Sequence, residues 1–165
     1  MEIKIVRSKR RKKTVSAREV DGQFIVQAPA DMTDAELKPI IENLQSRWQR
    51  RQEKSKLDDK ALHRRAQELN RQYFKGKLKW TSISWVTNQN KSRIGSCTPG
   101  NSTIRISHRL SMMPTFVRDY VIIHELAHLI EANHGSKFWK LVNRYPKTER
   151  ARGYLMAVGL EDLEE

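Results

Sequence analysis

The chain has 165 residues and a formal net charge of +13, from 32 Lys and Arg against 19 Asp and Glu. Its single cysteine, Cys97, excludes a disulfide framework and also a zinc ribbon built on four cysteines. Because no apolar stretch resembles a signal peptide or reaches the length of a membrane span, we expect a cytoplasmic protein of one compact domain with no membrane partner.

The N-terminal part of the chain alternates between apolar and polar residues. Asp21-Gly22 is a favourable two-residue hairpin turn, because both residues tolerate a positive φ. The pattern therefore predicts a small antiparallel β-meander. Its strands are expected at residues 2–7, 12–20 and 23–27.

Two helices are predicted to follow the meander. Thr33 and Glu36 form a capping box for a helix that runs to about residue 53. Pro39 is unfavourable inside a helix, so we expect a short first turn, with the main helix starting near Pro39. The second helix is expected over residues 58–74, and Gly76 ends it.

The positive charge is concentrated in residues 1–80, which hold 21 basic against 11 acidic residues, a balance of +10. Residues 81–165 hold 11 against 8, a balance of +3. We expect a weak, salt-sensitive and sequence-independent affinity for nucleic acid through residues 7–13 and 47–56. The alternative is a solvated basic face with no partner.

Residues 81–165 are expected to form a catalytic core beside the basic N-terminal part at 1–80. An alternation of period two predicts a second small sheet, with strands at residues 79–86, 93–97 and 103–107. Pro114 precedes the most apolar helix, and Ser136 begins a further helix that runs up to Tyr145. A last helix is expected over residues 148–158.

The apolar helix carries an HExxH motif made of His124, Glu125 and His128. Residues four apart share one face of a helix, so both imidazoles can bind one zinc ion. Glu125 lies one step round the helix, where its carboxylate can act as a general base without binding the metal. Because an unpaired histidine is costly in the core, the apolar surroundings also favour a metal.

A catalytic zinc site needs a third protein ligand, and we rank His134 first. For His134 to turn back, the helix must end near Asn133, and Gly135 can take the left-handed conformation there. Two rivals are Glu131, which lies on the same helix face, and Glu149 on the closing helices. Glu131 better suits a role beside the ligands than among them.

Several other residues are candidates to bind the substrate. Arg93 begins a predicted strand that could flank the cleft, where its guanidinium could bind a carboxylate or phosphate. The alternative for Arg93 is a charge that guards an edge strand. Cys97 is expected to be a small buried group and not a nucleophile. The candidates to stabilise an oxyanion are Tyr145, Arg152, Tyr154 and His108.

Five linked motifs stand in one order along the chain: RIGSC at 93–97, IRISHRL at 104–110, Pro114, VIIHELAHL at 121–129 and NHGSKFW at 133–139. On these motifs the sequence resembles the YgjP-like metallopeptidase family. The resemblance implies an α+β, zincin-like fold, in which an N-terminal β-meander and a small mixed sheet accompany the HExxH helix. It also implies that zinc is held by His124, His128 and His134.

Three functions remain open at this point. The first is a zinc metallopeptidase acting on peptides or proteins, with Glu125 as the general base. The second is a zinc-dependent hydrolase of nucleotides or other phosphoanhydrides, which the basic N-terminal half favours. The third is a non-enzymatic nucleic-acid-binding module with a structural zinc. The presence of Glu125 argues against the third, because a structural site needs no base.

Overall fold

The computed structural model describes residues 2–55, 57–87 and 93–160, and these form an α+β fold with two small mixed sheets and five α-helices. The strands are β1 (Ile3–Ser8), β2 (Ser16–Val20), β3 (Gln23–Pro29), β4 (Ser82–Val86), β5 (Gly95–Thr98) and β6 (Thr103–Ser107). The helices are α1 (Asp34–Ser55), α2 (Asp59–Phe74), α3 (Thr115–Ala127), α4 (Ser136–Val142) and α5 (Thr148–Ala157). Two units, Met1–Gln52 and Glu53–Glu165, each have their own core.

The first unit is built on β3, whose alternate residues Phe24, Val26 and Ala28 are buried. The Asp21-Gly22 hairpin between β2 and β3 is confirmed, and the two residues have φ values of 51° and 78°. The predicted antiparallel meander is wrong, because β1 pairs with β3 in parallel and the strand order is β1-β3-β2. The connection over residues 9–15 is long enough to cross one strand.

Helix α1 covers the buried face of β3 with the side chains of Leu37 and Ile41. The predicted capping box is confirmed: the Thr33 N–H donates to Glu36 Oε2 (2.8 Å), and the Glu36 N–H donates to Thr33 Oγ1 (3.2 Å). The expected late start at Pro39 is wrong, since the helix begins at Asp34. Burial of Leu37 and Ile41 contributes about 1.5–3 kcal/mol for each side chain, which offsets the proline penalty of about 3 kcal/mol.

In the second unit, α2 begins where predicted. Asp58 caps it by accepting hydrogen bonds from the N–H groups of Lys60 and Ala61. The helix ends at Phe74 and is followed by Lys75 and Gly76, which both have positive φ. The predicted division of the chain lies after residue 80, whereas the structural units divide between residues 52 and 53. Helix α2 belongs to the second unit because its buried face packs on β4 and α3.

The second sheet has the order β4-β6-β5, with β4 parallel and β5 antiparallel to β6. Helix α3 lies against this sheet and is the most buried helix, because every residue from 119 to 127 is buried. Its Asp119 carboxylate accepts two hydrogen bonds from Arg65 of α2, at 3.0 and 2.6 Å. No helix among residues 2–55, 57–87 and 93–160 is long and apolar enough to span a membrane.

Candidate metal centre

The structure brings three histidines together at the end of α3. Nε2 of His124 lies 3.3 Å from Nε2 of His128 and 3.1 Å from Nε2 of His134. One ligating nitrogen from each ring lies within 4.8 Å of the other two. His124 comes from the buried stretch of the helix, whereas His128 and His134 are half-buried. The three rings therefore converge on one point that opens towards solvent.

The chain turns back after α3 earlier than expected. The helix ends at Ala127 and not near Asn133, and the Leu129 N–H bonds to the Leu126 carbonyl (3.1 Å) as the turn tightens. Gly135 has a φ of −81° at the start of α4, so the expected left-handed glycine is also wrong. This tight turn lets His134 reach the other two rings.

Two hydrogen bonds orient the rings. Nδ1 of His128 lies 3.1 Å from the carbonyl oxygen of Glu131, which can only accept, so Nδ1 donates and Nε2 carries the lone pair. Nδ1 of His124 lies 3.4 Å from the hydroxyl of Tyr120, one turn earlier on α3. Partners on Nδ1 are the usual support of metal-binding imidazoles.

The electrostatics keep His124 neutral. Burial, together with the charges of His128, His134 and Arg152, lowers the pKa of His124 to about 3. A metal ion binds the neutral imidazole, so no proton has to leave His124 at neutral pH.

The donor set fits a zinc ion. Ligands about 2.05 Å from a tetrahedral metal lie about 3.3 Å apart, close to the two Nε2 separations of 3.1 and 3.3 Å. Of the rival ligands, Glu131 contributes its backbone carbonyl to His128. The side chain of Glu149 is 81% exposed and pairs with Arg152 at 3.4 Å.

Two aromatic residues of α4 surround the histidines, and the sequence pattern assigned neither a role. The ring of Phe138 is fully buried, stacks on His128 at 4.5 Å and meets His124 edge-on at 4.9 Å. Trp139 lies 6.0 Å from His124. The sequence feature that could have identified Phe138 and Trp139 is their position in the first turn of the helix that follows His134. These rings pack against the imidazoles of the three histidines.

Glu125 lies on the floor of a cleft of about 590 Å³ and is only 3% exposed. The cleft is lined by the three histidines, by β5 and by residues on either side of them. Arg93 and Cys97 both belong to this lining, as does Gly95. Burial, together with the charge of Glu125, raises the pKa of the Cys97 thiol to about 11, so the thiol stays protonated at neutral pH.

The remaining candidates are not among the described residues that line the cleft. The Tyr145 hydroxyl donates to the carbonyl of Phe116 (3.0 Å), and burial raises the pKa of Tyr145 to about 12. Tyr154 packs edge-on against Phe116. The guanidinium of Arg152 stacks over the ring of Trp139 at 4.4 Å. His108 begins a short 3₁₀ turn after β6.

Comparison with known proteins gives two matches. A family model described as "YgjP-like, metallopeptidase domain" matches residues 46–157, which include α2 to α5 and the whole second sheet. The metallopeptidase zymogen of Pyrococcus abyssi abylysin is similar in fold, with a TM-score of 0.50 and 17% sequence identity. That likeness covers 61% of this chain and 96% of the abylysin chain. No curated protein sequence matches the chain.

Proposed function

Because this chain belongs to the YgjP-like metallopeptidase family, we propose that it is a zinc-dependent peptidase with a zincin-like catalytic unit. In this proposal His124, His128 and His134 hold the metal, and Glu125 is the general base. The observation that carries the proposal is the convergence of the three Nε2 atoms in the cleft that Glu125 also lines. Three imidazole ligands suit zinc and leave a fourth position for water or substrate.

A bound zinc ion supplies a Lewis acid that polarises the scissile carbonyl and makes a water molecule more acidic. Glu125 takes a proton from the attacking water on a carboxylate oxygen and then returns it to the leaving amine. The Glu125 side chain is buried under β5, which restricts the positions that its carboxylate can take. Phe138 and Tyr120 hold the rings of His128 and His124 in place.

The cleft suits an extended peptide. Strand β5 lines it and forms the edge of the described sheet β4-β6-β5, where a peptide can pair with an edge strand. Arg93 is our candidate to bind a carboxylate of the substrate, because it is exposed at the same cleft. The contacts of Tyr145 and Tyr154 with Phe116 support roles in packing instead.

The test compares the zinc-loaded protein with its Glu125→Gln variant. We expect the variant to keep zinc and its thermal stability but to cleave an unstructured protein at least ~100-fold more slowly, because the base is lost. A parallel assay uses nucleoside triphosphates as substrates. Glu125-dependent cleavage of triphosphates without any cleavage of protein would promote the phosphoanhydride hydrolase over the peptidase.

A separate proposal concerns the basic first unit. Residues 3–18 contain eight Lys or Arg and no Asp or Glu. Arg7 pairs with Asp34, and Arg11 donates to Gln27 at 2.5 Å. The four other cations between β1 and β2 are exposed: Lys9, Arg10, Lys12 and Lys13. This cluster supports weak binding of nucleic acid through phosphate contacts.

A further inference from the structure

Strand β5 passes unusually close to α3 where Gly95 faces Glu125. A Cβ atom placed on Gly95 would lie 2.6 Å from Oε1 and 3.0 Å from Cγ of Glu125, and 3.0 Å from Cγ1 of Val121. Heavy atoms in good contact lie about 3.5–4.0 Å apart, so a side chain does not fit here. A glycine inside a strand often marks such a close approach.

Neither the strand nor Val121 is able to make room. Gly95 pairs with Ile106 of the central strand β6, and the adjacent Ile94 carbonyl accepts a hydrogen bond from the Ser107 N–H (2.9 Å). Val121 is 2% exposed in the core of the second unit. Of the three atoms, Oε1 of Glu125 is the nearest, and it lies at the far end of a flexible side chain. A side chain at position 95 would therefore displace the carboxylate.

We propose that Gly95 is a positioning residue: the missing side chain leaves a notch in β5 that fixes the carboxylate of Glu125 at the floor of the cleft. The proposal rests on the proposed role of Glu125 as the general base. Glycine loses more conformational entropy on folding than alanine, so local backbone preference would favour alanine in this strand. The close contact with Glu125 accounts for the glycine.

The first test measures turnover in Gly95→Ala, with Gly100→Ala as the control. A Cβ on Gly100, in the turn after the same strand, meets no described atom within 4 Å. We expect Gly95→Ala to keep zinc and KM but to lose kcat by about 10- to 100-fold, because the base is misplaced. The control should keep full kcat. An unchanged kcat in Gly95→Ala would overturn the proposal.

The second test needs no activity and uses the metal-free protein. Gly95→Ala should lower Tm by about 5 °C, as overpacking does. In a Glu125→Ala background the same change should lower Tm by less than half as much, because the carboxylate and Cγ are absent. Equal losses in both backgrounds would show that Gly95 and Glu125 are uncoupled. If Glu125→Gln keeps turnover, the proposed function fails, whereas this cycle still decides whether the two residues are coupled.

Discussion

The hydroxyl of Tyr120 lies 3.4 Å from Nδ1 of His124, one helical turn away on α3. Both residues are buried, so this contact replaces water on the ring nitrogen that faces away from the cleft. Partners of this kind fix the orientation of a ligating imidazole, and their loss costs roughly 10- to 100-fold in metal affinity.

We therefore expect Tyr120→Phe to weaken zinc binding by about 10-fold while the fold is kept, since only the hydroxyl is removed. The measurement is a zinc competition titration against a chelator of known affinity. Tyr73→Phe is the matched control, because Tyr73 packs edge-on against Tyr145 and not against the histidines. Equal affinity of Tyr120→Phe and the parent protein would contradict the role of the hydroxyl.

The ligand set predicts a clear order among four variants. His134→Ala should lose most of its zinc, because Nε2 of His134 lies 3.1 Å from Nε2 of His124. Glu131→Ala should retain zinc, since only its backbone carbonyl bonds to His128. Glu149→Ala should also retain zinc, and His108→Ala serves as a histidine control. Metal analysis after dialysis measures the outcome, and full occupancy in His134→Ala would remove His134 from the site.

The pKa of His124 predicts how acid affects the metal-free protein. Folding lowers this pKa from its usual value near 6.5 to about 3, so the folded state favours the neutral ring. The stabilisation is complete above pH 6.5 and is lost as the pH falls towards 3, at up to about 1.4 kcal/mol per pH unit. Urea unfolding at several pH values, with a chelator present, measures the slope.

The control for this acid effect is His124→Asn, which removes the titrating ring from the same buried position. Its free energy of unfolding should fall less steeply with decreasing pH than that of the parent protein. The difference in slope should correspond to about one fewer proton taken up on unfolding. Equal slopes for the two proteins would mean that His124 is not held neutral by the fold.

The basic cluster in the first unit predicts salt-dependent binding of random-sequence duplex DNA. Each phosphate contact contributes about −0.9 to the slope of log affinity against log salt, so reversing four cations should reduce the magnitude of the slope by about 3.6. The reversed residues are Lys9, Arg10, Lys12 and Lys13. A control with the same net charge reverses Lys77, Lys79, Lys137 and Lys140, which are exposed in the second unit. An equal reduction of the slope in both variants would show that DNA binding depends on net charge and not on this cluster.

Local signals predicted most of the elements. The Thr33–Glu36 capping box, the Asp21-Gly22 turn and the Asp58 cap are each complete within a few residues, so the chain specifies them without tertiary context. The family match likewise confirms the resemblance drawn from the motifs around HExxH.

Features that depend on contacts between distant parts of the chain could not be predicted from the local sequence pattern. Alternation in β1 predicts a strand but not whether it pairs with β2 or with β3, because a period-two pattern does not record which strand lies alongside. The cost of Pro39 to helix stability is local and can be read from the sequence. The packing of Leu37 and Ile41 that offsets this cost depends on the position of the sheet. The approach of Gly95 to Glu125 joins residues 30 positions apart, and periodicity carries no record of such a contact.

The early end of α3 has a consequence for the order in which the molecule opens. His128 and His134 bracket a short stretch whose described backbone anchors include the bonds from the Ile130 and Glu131 N–H groups to the Ala127 carbonyl (3.0 and 2.9 Å). An ion shared by the two rings would close this loop as a cross-link does, worth about 2 kcal/mol in the chain-entropy model. Chelation should therefore speed amide hydrogen exchange at residues 129–135 first, while β3 stays protected. Metal release and local unfolding of this loop would then be one equilibrium, and a uniform rise in exchange would show that they are separate.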